Sequence, residues 1–412
     1  MPTPLSWGQR ALDHIKAILA LAPGGRGSAT AAEARAADYV RARLVDLGVA
    51  DTRLQAFRGL RSIWLFIAMA YGFALIGHAA FWVLRHPLGA ASALGVSILA
   101  FAFGGILMVR KMTFHGYPLS DSLPHGPSQN VIAVLPAASE PRGKVVLTAH
   151  LDSHRAVWLF ATDLVLLFYF ATSPLGVYGL IVSPLLYGLS LLTHLPFLAW
   201  IGLIPLISHF IGWFTGMTAD LGPYSPGAND NASALGTVLT LVEHLRQSPL
   251  QHTEVWLVFT GCEETGCDGM SAFLKEYGHT LQEALFVNLE EVGIGERFIY
   301  LRSEGVVYPR RIRPLLEQWI AQAASEMGLA VQPVDAAGLG AFTETGVVWE
   351  HGLNGVCFMT LRQGAQWPPE WHRLTDQADR LQPEALERAH LFVWQLLHNL
   401  MPLDECPRKL ED

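Results

Sequence analysis

Two adjacent carboxylates, Glu263 and Glu264, stand in Thr260-Gly-Cys-Glu-Glu-Thr-Gly-Cys-Asp-Gly269, directly after the apolar run Glu254–Phe259. The pattern reads as a strand running into a tight acidic loop, with glycines that let backbone approach a ligand closely. Neighbouring side chains leave a chain in different directions, so one carboxylate is free to hold a metal while the other faces a reacting water. An acidic pair in a loop is most often simply solvated. Its meaning therefore rests on partners elsewhere in the chain.

Those partners lie just past other apolar runs, where α/β sheets build their sites. His150 and Asp152 follow the strand-like Lys144–Ala149. Asp230 sits in Gly227-Ala-Asn-Asp-Asn-Ala-Ser233 ahead of a helical pattern. Glu290 and Glu291 close Ala284–Leu289, and His372 lies in Trp371-His-Arg-Leu-Thr-Asp-Gln-Ala-Asp379. Imidazoles and carboxylates without a required thiolate suit zinc, manganese or cobalt. Two histidines and three carboxylates exceed what one catalytic zinc takes, whereas two ions sharing one carboxylate use all five. A pair of ions about 3.5–4 Å apart can hold a bridging hydroxide and polarise a carbonyl, with an unligated carboxylate moving the proton.

Taken together, His150-Leu-Asp152, the Gly227–Ser233 segment, Glu263-Glu-Thr-Gly-Cys-Asp-Gly269, Asn288-Leu-Glu290 and His372 with Asp376 resemble the M28 zinc aminopeptidases. The opening helices with their Gly-Arg-Gly link resemble that family's first segment as well. The resemblance implies His150 and Glu290 on one metal, Glu264 and His372 on the other, and Asp230 bridging. It also implies Glu263 as general base and Asp152 orienting His150 from behind the metal. The cofactor it implies is two divalent ions, zinc above others. Thr343-Glu344 falls where the family has Ser or Thr followed by Asp near the substrate's end. Two departures stand out: Glu290 replaces a shorter Asp, and Ala234 replaces a glycine.

The elements that position these groups are interrupted by membrane-like text. Charged residues make up 16% of 412 and mean hydropathy is +0.30. Ile63–Leu84 and Ala90–Val109 are apolar runs of membrane-spanning length, with Arg85, His86 and Pro87 between them. From Ala156 to Ala219 the charged side chain is Asp163, and Pro174, Pro184, Pro196 and Pro205 break up the block. That length suits two tilted spans with a loop, or three short ones. Because His150 and Asp230 must meet, the chain leaves and re-enters on one face, so an even number of crossings is expected.

The expected fold is α/β, a mostly parallel central sheet flanked by helices, with about four inserted transmembrane helices in two hairpins. Helices are expected at Ala11–Leu21, Ala31–Leu47, Ser233–Gln247, Ser271–Tyr277, Arg310–Met327 and Pro383–Asn399, and strands at Asn130–Leu135, Lys144–Ala149, Glu254–Phe259, Ala284–Leu289 and Gly355–Met359. Pro23–Ser28 reads as a flexible link, and Gly116–Ser128 as a polar linker. The expected division is 1–61, an N-terminal helical part of the catalytic domain; 62–112, the first membrane hairpin; 113–155, the first catalytic strands; 156–219, the second membrane insertion; and 220–412, the remainder.

The net charge of −8 leaves no basic face for a nucleic acid. Four cysteines without a regular framework suit a reducing compartment. Cys262 and Cys267 read as small residues lining a tight loop. His154, His194 and His209 read as structural or interfacial, Asp163 as either an interfacial group or part of a polar path, and Glu291 as supporting or solvated. Asp376 and Asp379 read as holding the His372 loop through backbone hydrogen bonds.

The expected function is a membrane-anchored dinuclear zinc exopeptidase, an aminopeptidase cleaving peptides through a metal-bound hydroxide. The alternatives are a glutaminyl cyclase-like enzyme with one zinc, and a non-enzymatic receptor or scaffold on the same fold. The expected partners are a peptide substrate and the lipid bilayer. Arg58, Arg61, Arg110, Lys111 and Arg155 flank the spans on one face against Arg85 on the other, which places a multi-pass protein in the plasma (inner) membrane with its catalytic domain cytoplasmic.

Overall fold

The computed structural model describes residues 6–337 and 342–399. Its strands are β1 (Asp51–Leu60), β2 (His125–Leu135), β3 (Gly143–His150), β4 (Thr253–Thr260), β5 (Leu285–Leu289), β6 (Arg297–Glu304), β7 (Arg310–Arg311), β8 (Val331–Asp335) and β9 (Asn354–Leu361). Its helices are α1 (Trp7–Leu21), α2 (Ala31–Asp46), α3 (Ile63–Leu84), α4 (Ala90–Met112), α5 (Asp163–Thr193), α6 (Pro196–Ile201), α7 (Leu206–Thr218), α8 (Ser233–Gln247), α9 (Asp268–Tyr277), α10 (Pro314–Met327), α11 (Glu344–Glu350) and α12 (Pro383–Asn399).

The strands form one sheet in the order β1-β2-β4-β3-β5-β9-β6-β7, with β8 paired to β6. The centre, β4-β3-β5-β9, is parallel, and antiparallel pairs flank it. Alternation along the strands divides the core. Val145, Leu147 and Ala149 of β3 face α1, α8 and α12, whereas Val146 joins Met270 and Phe273 of α9 and Val347 of α11 on the opposite face. Register then sets the site. His150 pairs with Thr260 across β3 and β4, and Thr148 pairs with Asn288 across β3 and β5. The carboxyl ends of these three strands therefore open side by side, carrying His150, the acidic loop and Glu290.

Four helices are long and apolar enough to cross a membrane: Ile63–Leu84, Ala90–Met112, Asp163–Thr193 and Pro196–Leu221. α5 runs straight through Pro174 and Pro184, so the apparent third segment does not form and the block folds as two long pieces. Their outward faces expose Leu99 (72%), Leu164 (77%) and Leu192 (80%), far more apolar surface than a helix facing water carries. Inward, α3, α4 and α5 bury Phe66, Phe101, Leu107, Leu166 and Tyr187 against one another. The four apolar helices are compatible with membrane association.

Several local expectations differ. β1 was not expected, because an edge strand with Arg53, Gln55 and Arg58 among its residues lacks a continuous apolar run; it pairs antiparallel with β2 over its whole length. β6 and β8 were missed too, β8 because Pro333 argues against a strand except at a sheet edge, where it lies. The helix expected from Arg310 begins at Pro314, since Arg310 and Arg311 pair with β6. α11 was also missed. The linker expected over Gly116–Ser128 ends early, at the start of β2. The segment Pro23–Ser28 is no flexible link either: Arg26 within it is fully buried.

Candidate metal centre

Asp230 sits between two imidazoles. His150 Nε2 lies 3.2 Å from Asp230 Oδ1, and His372 Nε2 lies 3.3 Å from Asp230 Oδ2. The same His150 nitrogen is 3.1 Å from Glu290 Oε2, and the same His372 nitrogen is 3.4 Å from Glu264 Oε2. The result is two nests of ligand atoms sharing one carboxylate. Ligand atoms of His150, Asp230 and Glu290 cluster closely enough to hold one ion, and so do those of His150, Glu263 and Glu264. The structure therefore brings together all seven residues singled out in the sequence, Asp152 and Glu263 included.

Local structure explains the placement. The Asp230 loop is gripped from behind by Asp376, whose carboxylate accepts from the amides of Asn229 (2.7 Å) and Asp230 (3.1 Å). Gly227 opens that loop at φ +68°, where a Cβ would lie 2.4 Å from Asp230 O and 2.6 Å from Ser153 Cβ. Asn231 donates to Leu289 O (2.9 Å) and to Glu290 Oε2 (2.7 Å), tying the bridging loop to the end of β5. Asp152 accepts from the amides of Glu263 (3.1 Å) and Glu264 (3.2 Å) and from Ser28 Oγ (2.6 Å), and its Oδ1 lies 3.4 Å from His150 Nδ1. One carboxylate thus orients both the acidic loop and the imidazole.

Electrostatics give the reason for a cation. Burial, reinforced by neighbouring carboxylates, pushes the Glu263 carboxyl well above its ordinary range and Glu264 to about 7. Burial opposes charge on the imidazoles as well, but the carboxylates around them prevail, raising His150 well above its usual value and His372 to about 9. Asp230 is held low against its own burial by hydrogen bonds from both histidines. Glu264 Oε1 is buried with no donor from the protein. A dense set of mutually facing ligand atoms, in which both histidines and Glu263 and Glu264 are pushed toward their protonated forms, fits divalent ions that would displace those protons.

Other groups were not foreseen. Arg26 donates to the carbonyls of Leu151 (2.8 Å), Pro226 (2.7 Å) and Gly227 (2.8 Å), pinning the segments before and after the second membrane insertion to each other. Glu304 at the end of β6 lines the cavity over the site, and burial raises its carboxyl to about 8. The rule that located the other acids would have found it had Phe298–Leu301 been read as a strand. Thr343 lines the same cavity and donates to Glu304 Oε2 (3.0 Å), whereas Glu344 turns away to accept from Thr260 Oγ1.

His154 stacks on His372 with ring centroids 3.7 Å apart and could join Glu264 and His372 around an ion. Glu291 is buried rather than solvated. Asp376 holds the Asp230 loop, not only its own. Asp163, at the start of α5, is exposed and accepts from Arg373 Nη2 at 2.5 Å. Cys262, Cys267 and Cys357 are free and buried, with Cys267 Sγ donating to Glu263 Oε1 at 3.3 Å. Cys406 lies outside the described residues.

Residues 206–397 match the profile of peptidase family M28. The matched stretch contains Asp230, Glu263, Glu264, Glu290 and His372, while His150 and Asp152 lie before it, across the membrane insertion. Over 197 residues, 47% of the chain, it is 26% identical to the putative endoplasmic reticulum metallopeptidase 1-B of Caenorhabditis elegans, of which the match spans only 21%. In fold it is similar to a Zn-dependent exopeptidase from Parabacteroides distasonis (TM-score 0.56, 13% identity, 95% of this chain and 98% of that one). It is similar also to a glutaminyl cyclase from Bacteroides thetaiotaomicron (TM-score 0.56, 14% identity, 97% and 99%).

Proposed function

From the match of residues 206–397 to the family M28 profile, we propose that this chain carries a zinc metallopeptidase domain of that family and is a membrane-anchored dinuclear zinc exopeptidase, an aminopeptidase acting on peptides. The observation that carries this reading is the split of Asp230, one oxygen toward His150 and the other toward His372. In this reading His150 and Glu290 hold one zinc, Glu264 and His372 the other, and Asp230 both. Bound zinc acidifies water and polarises a carbonyl.

The remaining work belongs to the chain's own groups. Glu263 takes a proton from the attacking water as it adds to the scissile carbonyl, then delivers that proton to the leaving amine as the C–N bond breaks. Its burial suits the second half of that task, because it favours the protonated carboxyl. Asp152 keeps His150 turned toward its metal and holds the two glutamate amides in place. The test is Glu263→Gln, which keeps the amide's size and removes the base. It is expected to retain two zinc ions per chain and its fold while losing peptide hydrolysis by about a thousand-fold or more; an active variant would sink the assignment.

A cyclase reading is prompted by the glutaminyl cyclase neighbour and requires one zinc, so metal analysis returning two per chain would exclude it. A receptor reading is disfavoured by a complete ligand set. The division of the chain into a catalytic unit with two membrane hairpins at 62–112 and 156–219 belongs to the same proposal. So does a cytoplasmic catalytic domain at the inner membrane, supported by Arg58, Arg61, Arg110, Lys111 and Arg155 near the catalytic side.

A further inference from the structure

One cavity of about 240 Å³ joins the carboxylate cluster to the interior of the membrane helices. Its floor is the metal site. Its far wall is Ile67 and Tyr71 of α3, Met108 of α4, Val177 of α5 and Ile211 of α7, positions inside segments apolar enough to cross a bilayer. Between the two ends lies an aromatic collar. Phe160 meets His372 edge-on at 4.5 Å and Trp371 at 5.2 Å, and Trp64 closes on Phe160 at 6.2 Å. A hydrolytic site that needed only water-soluble peptides would have no use for such an arm.

The chemistry of the arm selects its occupant. Ser208 Oγ is already committed to Thr172 O (2.9 Å) and Thr172 Oγ1 to Phe168 O (2.8 Å). A peptide backbone entering here would meet only a few hydroxyls among largely apolar walls, too few partners for its amides and carbonyls. A hydrocarbon chain has no such groups to satisfy and fills an apolar cavity favourably, each methylene drawn from water adding about four-fold in affinity.

Resting on the hydrolase reading above, we infer that the substrate is an amphipathic amide. Its scissile bond lies at the carboxylate cluster, and a linear hydrocarbon attached close to that bond lies in the arm between α3, α5 and α7. Two sources supply this chemistry, an N-acyl amino acid and a short peptide bearing an alkylated N-terminal side chain. Hydrolysis balances in either: water adds to the amide carbon, the C–N bond breaks, and the amine takes the proton.

The experiment uses zinc-loaded full-length protein in lipid nanodiscs. Rates are measured for N-acetyl-, N-octanoyl- and N-dodecanoyl-leucine, and for peptides whose N-terminal cysteine carries a methyl, octyl or dodecyl thioether. In at least one series kcat/KM is expected to rise ten-fold or more with chain length, and Ser173→Trp or Val177→Trp, both lining and narrowing the arm, should lower the ratio of the dodecyl to the shortest-chain kcat/KM ten-fold or more. The series that responds identifies the source. Flat profiles in both series, with short peptides still cleaved, overturn the inference and leave the peptidase reading standing.

A readout independent of turnover separates the two ideas further. N-dodecanoyl-leucine with a diazirine at the chain end, photolysed with Glu263→Gln protein, is expected to label residues 163–193 or 206–218, competed by the unlabelled dodecanoyl compound and not by the acetyl one. Competed labelling without hydrolysis by the wild type would remove the peptidase reading alone. Uncompeted labelling confined to outward faces would mean bulk lipid, and overturns the inference.

Discussion

Arg26 ties together chain segments remote in sequence that flank the site. It is fully buried, and its three hydrogen bonds end on carbonyls of segments that lie on either side of the second membrane insertion. Arg26→Met keeps much of the volume but strands those carbonyls and removes a buried guanidinium whose charge acts on Asp376 and Asp230. A loss of about 3–5 kcal/mol is expected, read as a lowered unfolding temperature of detergent-solubilised protein.

Glu344 gives a pH signature. Burial raises its carboxyl from 4.5 to about 8, so the native state binds a proton that the unfolded state has released. Its contribution is whole below pH 4.5 and is lost as pH rises toward 8. Glu344→Gln should therefore flatten the fall in stability between those limits, by at most roughly 1.4 kcal/mol per pH unit. Melts of wild type and variant at pH 5.5 and 7.5 check it; parallel losses would refute it.

Of the seven candidate residues, His150, Asp152, Glu263, Glu264 and Glu290 were legible because they follow an apolar run at a strand end, whereas Asp230, ahead of α8, and His372, in a loop well past β9, were legible through their motifs. Arg26 and Glu304 were not: the one acts on backbone carbonyls remote in sequence, and the other ends a strand that went unread.

Among the elements, α4 is more than an anchor. Lys111, near its end and almost buried, donates to Asp268 Oδ1 at 2.9 Å, and the other Asp268 oxygen accepts from Leu60 N at 2.9 Å. One aspartate at the start of α9 thus joins a membrane helix, β1 and the loop that presents Glu263 and Glu264. The fit is close, since a Cβ on Gly266 would lie 2.4 Å from Lys111 Cε. A Lys111→Met, Asp268→Asn double-mutant cycle is expected to show a coupling of about 1–3 kcal/mol in stability, with each single variant also lowering kcat. A coupling near zero would mean that the ion pair is incidental. Hydropathy located the apolar runs at 63–84, 90–109 and 156–219, and the need for His150 to meet Asp230 added the even number of crossings. It did not show this contact, nor that Pro174 and Pro184 ride inside one helix, because both depend on neighbours that a linear pattern does not contain.

At the scale of the molecule, connectivity constrains topology. His150 and Asp230 share a site although α5, α6 and α7 lie between them, so the insertion starts and finishes on the catalytic face. α3 and α4 do the same, from Leu60 beside Asp268 to Lys111 on that same aspartate. The turn at residues 85–89 and the turn at 194–195 must then share the far face. In the orientation proposed above, that far face is the outside of the cell. The assignment is testable because Cys262, Cys267 and Cys357 are free but buried, and Cys406→Ser removes the remaining thiol. In that background Leu88→Cys places an exposed thiol in the first turn, and Ser139→Cys one on the catalytic unit. A membrane-impermeant maleimide added to intact cells should label position 88 and spare position 139 until the membrane is breached. Labelling of 139 alone would invert the orientation while preserving the four-span arrangement. Labelling of both would break the requirement that the two turns lie opposite the site, and with it the reading of these helices as paired hairpins.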